Sequence, residues 1–431
     1  MIFDKKNIFM LLAFLVIIIS CTTNKSKSHN EIIYWSSNNT EEIEFAKYIV
    51  DKWNKENHGF KVKFQPVPEG QSSEEVILAA IVGKTTPDIY SNMWEGDVEG
   101  YARAGLLVAL DTLDGFMEFL NERCDSSVIN EVKSSDGHIY QIPWKINPVM
   151  MIYNENIIKS LSMKNPPKTY SEFFNASKKF KKDTDGDGYI DRWFGYTETI
   201  VTWWQRFFDF YPLYLAASNG GSLVKNNKAV FNNKAAIEVF RFLRNLYENN
   251  YFPKERLSSR QDVFLDGIIA TRFTGPWEIA HAEKYKPKGF EYNFSTIPVP
   301  DNHQGPIYTY GDPKNIVIFK TCPNPKLAWE FLKFFLSEEN DLKFLEITNQ
   351  LPRRKNIDKN SLFDGYFKKN PKMKIFAEQA KFVKGTDQSP VLKEVFDIIS
   401  SEYEACVIYG IKSPEQALND AEKSVNLLFL K

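Results

Sequence analysis

The sequence predicts an α/β protein of two lobes, with the chain passing between them more than once. Three observations carry this. Between Glu31 and Trp94, short apolar runs alternate with capped amphipathic helices, the pattern of a parallel sheet covered on both faces. From about residue 155 to 290 the pattern turns mainly helical. Strand-like runs then return in "FSTIPVP" and "KNIVIFKT" before a second helical stretch closes the chain.

Each element has its own local reason. "EIIYWSS" is a short apolar run ending in polar residues, as a buried strand does. Asn39 is a helix N-cap with Glu42 at the third helical position. Ile43, Ala46, Ile49, Val50 and Trp53 then share one face, and Gly59 suits the stop. "FKVKFQPV" alternates Phe60, Val62 and Phe64, and "SSEEVILAAIVGK" is a helix with Ser72 and Glu75 as a capping box. "PDIYSNMW" is a third strand. Ligands of such sheets bind beyond the carboxyl ends of the strands, where Trp35 and Trp94 stand. Further on, "IYQIPWKINPVMMIYN" reads as two extended pieces joined at Asn147-Pro148. The expected boundaries are 31–146 with 301–350 for one lobe and 147–300 with 351–431 for the other.

The totals narrow the function. A net charge of -1 over 431 residues gives no reason to expect nucleic acid. Aromatics reach 15%, more than a core alone usually needs, so tryptophans beside polar loop residues call for a second reading. At the N-terminus, Lys5 and Lys6 precede an apolar run from Ile8 to Ile19 that is too short to span a bilayer. This reads as a signal peptide over residues 1–20. The ending "IISC" resembles a bacterial lipobox, which makes Cys21 the lipidated residue and 21–30 a polar tether. The other cysteines, Cys124, Cys322 and Cys406, have no metal-ligand spacing, and at most one pair could bridge.

"DTDGDGYIDRWF" follows a lysine-rich helix. Asp183, Asp185, Asp187 and Asp191 take the first, third, fifth and ninth places of an EF-hand-type loop, with Tyr189 at the seventh. Gly188 falls where the loop turns sharply. The twelfth place is Phe194, so the bidentate Glu of a calcium sensor is missing. The expectation is a structural Ca2+, set against an acidic turn neutralised by Lys178, Lys179, Lys181 and Lys182.

Several segments in order then carry a resemblance: "IIYWSS", "TTPDIYSNMWEGDVEGYARAGLLVAL", "GHIYQIPWKINPVMMIYN", "FTGPWEI" and "QLPRRK". Together they resemble the extracellular solute-binding proteins of sugar ABC importers, the maltose-binding-protein-like family, over essentially the whole mature chain. The resemblance implies two α/β lobes of the periplasmic-binding-protein fold (type II) with a ligand cleft at the hinge. It also implies delivery of sugar to a permease, no chemistry on the ligand, and a monomer in the bacterial cell envelope. Trp94 and Asp97 match the family's ligand-contacting pair, and Trp277 its stacking Trp of the second lobe. Asn147 stands where some members carry a ligand-binding Glu, and Phe396 aligns with a late aromatic contact.

The residues themselves support a sugar site. Aromatic rings cover the C–H faces of a pyranose, while carboxylates and amides fix its hydroxyls. On that ground Trp35, Glu95, Trp203 and Tyr310 join the candidates. Arg353 and Arg354 are assigned to hinge and surface, or to an anionic substituent. A glycoside hydrolase would need two carboxylates flanking the bond, but Glu95 and Asp97 lie on one loop. Another solute on the same fold, such as a peptide, polyol or sugar phosphate, is the alternative.

Overall fold

The computed structural model describes residues 31–56, 59–68 and 72–430. Along the chain the first lobe is laid down as β1 (Glu31–Ser36), α1 (Thr40–Glu56), β2 (Lys61–Pro66), α2 (Ser73–Val82), β3 (Ile89–Trp94), α3 (Glu95–Arg103) and β4 (Ile142–Ile146). The chain then crosses into the second lobe, giving β5 (Met150–Asn154), α4 (Tyr170–Phe180), β6 (Trp193–Gly195), α5 (Lys234–Glu248), β7 (Ile269–Thr274), α6 (Trp277–Tyr285) and β8 (Tyr292–Ser295). It returns through β9 (Thr309–Tyr310) to β10 (Lys314–Ile318) and β11 (Leu351–Pro352). A last crossing through β12 (Val383–Lys384) leads to α7 (Leu392–Tyr403) on the second lobe.

The first sheet has the order β11-β4-β10-β3-β1-β2. Strands β1, β2 and β3 are parallel, as the alternation of strand and helix predicted. The sheet as a whole is mixed, because β10 runs antiparallel to both β3 and β4. The second sheet has the order β8-β5-β7-β6, and only β6 is parallel to its neighbour β7.

Local signals act as expected at several element starts. Asn39 Oδ1 accepts from Glu42 N at 3.0 Å, and Ser72 Oγ accepts from Glu75 N at 3.1 Å, which is the N-cap half of the capping box expected there and not the whole of it. The Glu42 carboxylate does not return to close a capping box. It is buried instead, accepting from Ser37 Oγ at 2.7 Å and pairing with Lys145. Strand β8 covers Tyr292–Ser295, so only the first two residues of the "FSTIPVP" run belong to a strand, and Val299 adds an isolated bridge to Thr169.

Much of the aromatic excess fills the two cores. In lobe 1, Trp144 packs on Phe335 and Phe344, with ring centroids 5.6 and 4.8 Å apart. In lobe 2, Phe210, Phe240 and Tyr403 pack edge to face. Cys124, Cys322 and Cys406 are all buried, and none of them forms a disulfide among the described residues.

The crossings are bonded to one another. Asn147 N and Val149 N donate to Gly311 O and Tyr310 O at 2.6 and 2.8 Å. Strand β9 pairs in parallel with β12, and Gly311 N donates to Lys384 O at 2.9 Å. The hinge is therefore a ribbon of three side-by-side segments, which satisfies backbone groups that would otherwise be orphaned between the lobes.

Candidate functional site

Two places near the lobe boundary carry the predicted residues. The first is an aromatic cluster that joins the lobes beside the hinge ribbon. Trp94, at the end of β3, sits 4.9 Å from Trp203 and 5.8 Å from Phe207, both on a 3-10 turn of lobe 2. Phe207 stacks on Tyr310 at 4.7 Å and touches Phe396 at 4.2 Å. Lys393, in the first turn of α7, lies over the rings of Trp94 and Trp203 at 5.4 and 5.5 Å. Its ammonium also pairs with Asp97 at 2.8 Å.

The structure thus gathers Trp94, Asp97, Trp203, Tyr310 and Phe396 in one cluster, but a closed one. Trp94 is 3% exposed, Tyr310 1% and Phe396 0%. In this conformation the expectation of ligand-facing rings at Tyr310 and Phe396 is corrected: both pack inward against Phe207. Asp97 is likewise taken by Lys393 rather than left open to hydroxyls.

Glu95 requires a larger correction. "WEGDVEG" is not a loop, because Glu95 opens α3 and its side chain is fully buried. It accepts from Thr386 N at 3.4 Å and from Gln388 Nε2 at 3.3 Å. Glu131 approaches the same segment, bonding Gly385 N, and pairs with Arg353 at 2.6 Å. Burial, then the neighbouring Glu131 charge, pushes the Glu95 carboxyl well above its ordinary value. Glu95 and Arg353 are hinge residues. Arg354 is spent on Asp341 and Glu338.

Trp35 and Asn147 also sit differently from expectation. Trp35 is 8% exposed and packs with Val67, Tyr90 and Met93 in a small lobe 1 core, its indole N–H without a partner. Asn147 lies in the hinge ribbon, and its Nδ2 donates to Gln350 Oε1 at 3.2 Å. Gln350 Nε2 in turn donates to Glu42 Oε1 at 2.8 Å, which ties Asn147 to the buried Lys145–Glu42 pair.

The second place is open. Trp277 begins α6, just beyond the carboxyl end of β7, and stays 40% exposed. Its ring meets Phe208 edge-on at 6.0 Å. Beside it lies a cavity of about 770 Å3, lined among others by Glu198, Gln205, Phe208, Asp262, Arg272 and Trp277. Arg272 is neutralised by Asp262 at 2.9 Å and Glu278 at 2.7 Å, whereas Arg256, also in the lining, stays largely exposed. Glu198 Oε2 is buried without a hydrogen-bond partner, with Arg256 Nε 3.8 Å away. The sequence reading missed Glu198 and Lys393. A signal existed for Glu198, which lies three residues beyond the end of β6, where ligands of α/β sheets gather.

The acidic loop lies apart and is exposed. Carboxylate oxygens of Asp183, Asp185 and Asp187 all lie within 4.8 Å of one another. Backbone N–H groups aim them: Gly186 N and Gly188 N donate to Asp183 at 2.7 and 2.9 Å, and Tyr189 N to Asp187 at 2.8 Å. These donors, Gly188 foremost, hold the Asp183 carboxyl below its ordinary value. Gly188 has φ +92°, the turn its position predicts. Asp191 turns aside to accept from Thr184 N at 3.1 Å. The donor set is all oxygen, which suits a hard cation such as Ca2+.

Two α/β lobes joined by a bonded ribbon of crossings, with an aromatic and carboxylate-lined cavity on the second lobe, are the architecture of a two-lobed binding protein. Residues 48–375 match the model of the bacterial extracellular solute-binding proteins, and the chain belongs to that family. It is similar to the maltotriose-binding protein of Pyrococcus abyssi, 24% identical over 328 residues, covering 74% of this chain and 65% of the relative. It is also similar to the maltodextrin-binding protein of Bacillus subtilis, 26% identical over 313 residues, 66% of each. The chain thus spans slightly less than two thirds of either relative's length. Among solved structures, an uncharacterized protein of Listeria monocytogenes superposes with a TM-score of 0.82 at 28% identity, over 93% of this chain and 100% of that one. Cys21 lies outside the described residues, and no helix among those described is long and apolar enough to cross a membrane.

Proposed function

We propose that this protein captures a neutral sugar or oligosaccharide between its lobes and delivers it to the permease of an ABC importer. The carrying observation is the cavity beside Trp277. An exposed indole face stands next to the Glu198 carboxylate, whose Oε2 accepts no hydrogen bond and has Arg256 3.8 Å away, and Arg272 is already neutralised. Stacking on Trp277 suits a pyranose C–H face, and a carboxylate oxygen that accepts no hydrogen bond suits a hydroxyl. The Pyrococcus relative, a maltotriose-binding protein, and the Bacillus relative, a maltodextrin-binding protein, point the same way.

The way the carboxylates are used supports binding over catalysis. Asp262 and Glu278 are tied to Arg272, and Glu95 and Glu131 are committed to the hinge. Among the described residues this leaves no free carboxyl pair in the cavity to flank a glycosidic bond. A thermal-shift screen of sugars, followed by calorimetric titration of the best one, tests the reading. Binding of that sugar unchanged in Trp277→Ala and Glu198→Gln would place the site elsewhere.

The same reading includes two accessory features. A structural Ca2+ held by Asp183, Asp185 and Asp187, with the Tyr189 carbonyl, and with Asp191 once it releases Thr184, would stabilise lobe 2. A lipid on Cys21 would keep the protein, a monomer, at the membrane beside its permease. Fatty-acid labelling that persists in Cys21→Ala would refute the anchor.

A further inference from the structure

A groove of about 880 Å3 lies on lobe 2 and shares no lining residue with the cavity beside Trp277. One wall is the start of α4, with Tyr170 and Phe174. The floor is a stripe of α5 that includes Glu238, Arg241, Phe242 and Asn245, and the rim is the 300–304 loop. The parts are fixed to one another: Tyr170 N donates to Val299 O at 2.9 Å, and Ser171 N and Oγ donate to Asp301 at 3.1 and 2.6 Å.

Two polar atoms of the lining are buried and unsatisfied. The Tyr170 ring stacks flat on Phe242, with centroids 4.0 Å apart and planes 5° apart, yet its hydroxyl has no partner. Tyr170 is only 9% exposed. Burial, with Glu238 and Asp301 close by, pushes its phenol well above the ordinary value, so it remains a donor. His303 Nε2 on the rim is likewise buried without a partner. Leaving such groups unpaired costs free energy that a hydrogen-bonding ligand recovers.

The lining also selects a chemistry. Lys234 is set against Glu238 at 3.7 Å, and Arg241 pairs with Glu415, so no cations converge as a phosphate would require. The amides of Asn175, Asn219, Asn245, Asn302 and Gln304 both donate and accept, as hydroxyls do. Phe174, half-buried, adds an apolar face.

We propose that this groove is a second saccharide site, separate from the cleft, in which the Tyr170 hydroxyl and His303 Nε2 bond sugar hydroxyls and Phe174 covers a ring face. The test uses the full chain labelled with 3-fluorotyrosine, in which Tyr170→Phe identifies the Tyr170 19F signal. Maltotriose, cellotriose and chitotriose are each titrated to about 10 mM, above the millimolar range of a weak site. At least one should move that signal saturably, in wild type and equally in Trp277→Ala, whose cleft is impaired. The shift should vanish in a folded Phe174→Ala/Asn245→Ala variant. A signal that no trisaccharide moves overturns the proposal. So does a shift lost in Trp277→Ala, which would report the cleft at a distance. Because the readout is taken in Trp277→Ala, a cleft that binds no sugar leaves this expectation intact.

Discussion

Lys393 and Asp97 meet at 2.8 Å across the lobe boundary, joining the first turn of a lobe 2 helix to the first turn of a lobe 1 helix. The same ammonium covers two indoles, so one side chain supplies both an ion pair and cation–π contacts to the closed cluster. The pair is partly solvated, with the Lys393 side chain 34% exposed, which limits its strength.

Replacing Lys393 should therefore loosen the lobes without unfolding them. Lys393→Ala should cost the closed arrangement about 1 kcal/mol, roughly fivefold in its population. Small-angle scattering of the ligand-free protein should show a larger radius of gyration for the variant. High salt should move the wild type in the same direction, since screening weakens partly exposed pairs. An unchanged radius at every salt concentration would remove Lys393 from the closing contacts.

The two tryptophans should behave differently when cut back. Trp277 is exposed beside the cavity, so Trp277→Ala should weaken sugar binding by ~1–3 kcal/mol and barely move the melting temperature. Trp94 is buried between the lobes, so Trp94→Ala should lower stability by about 3–5 kcal/mol, the cost of emptying an aromatic site. Calorimetric titration and thermal melts of both variants separate the cases.

Chelation addresses the acidic loop. An ion bound only by the folded state stabilises it by about 2.7 kcal/mol when present at about 100 times its dissociation constant. EDTA should lower the melting temperature while leaving sugar affinity, measured well below that temperature, unchanged. Asp185→Ala should reproduce the chelated protein and respond no further to EDTA.

The hinge should make stability depend on pH through Glu95. Its folded carboxyl is raised above the ordinary 4.5, so between that value and its folded value the native state holds a proton the unfolded chain has released. Stability must then fall as pH rises through that window. Glu95→Gln keeps acceptor and shape without the ionisation. Its melting temperature should decline less than that of wild type between pH 5 and 8, and parallel curves would show Glu95 to be ionised throughout.

Legibility in the sequence was uneven, for physical reasons. The periodicity of 31–94, the caps at Asn39 and Ser72, and the crossing at Asn147-Pro148 are local patterns, and the structure places strands and helices there. Which ring faces a cleft and which a neighbouring lobe depends on packing between distant segments. Trp94 and Trp203 are 109 positions apart in the chain but 4.9 Å apart in space, and nothing within either segment specifies that. Glu95 was misplaced for the same reason, because its partners Thr386 and Gln388 come from the last crossing.

Both of the prominent indoles lie folded back over a glycine two positions away. A Cβ built on Gly96 would fall 2.3 Å from the Trp94 ring, and one on Gly275 would fall 2.1 Å from the Trp277 ring. Neither glycine has a side chain to offer a ligand, yet each sets where its indole rests. A single added methyl at Gly275 would evict the Trp277 ring from its present seat and so redraw the mouth of the cavity. The preference of this cavity can therefore drift by mutation at a position that no contact map of a complex would flag, and libraries meant to retarget it should randomise Gly275 before the residues that line it.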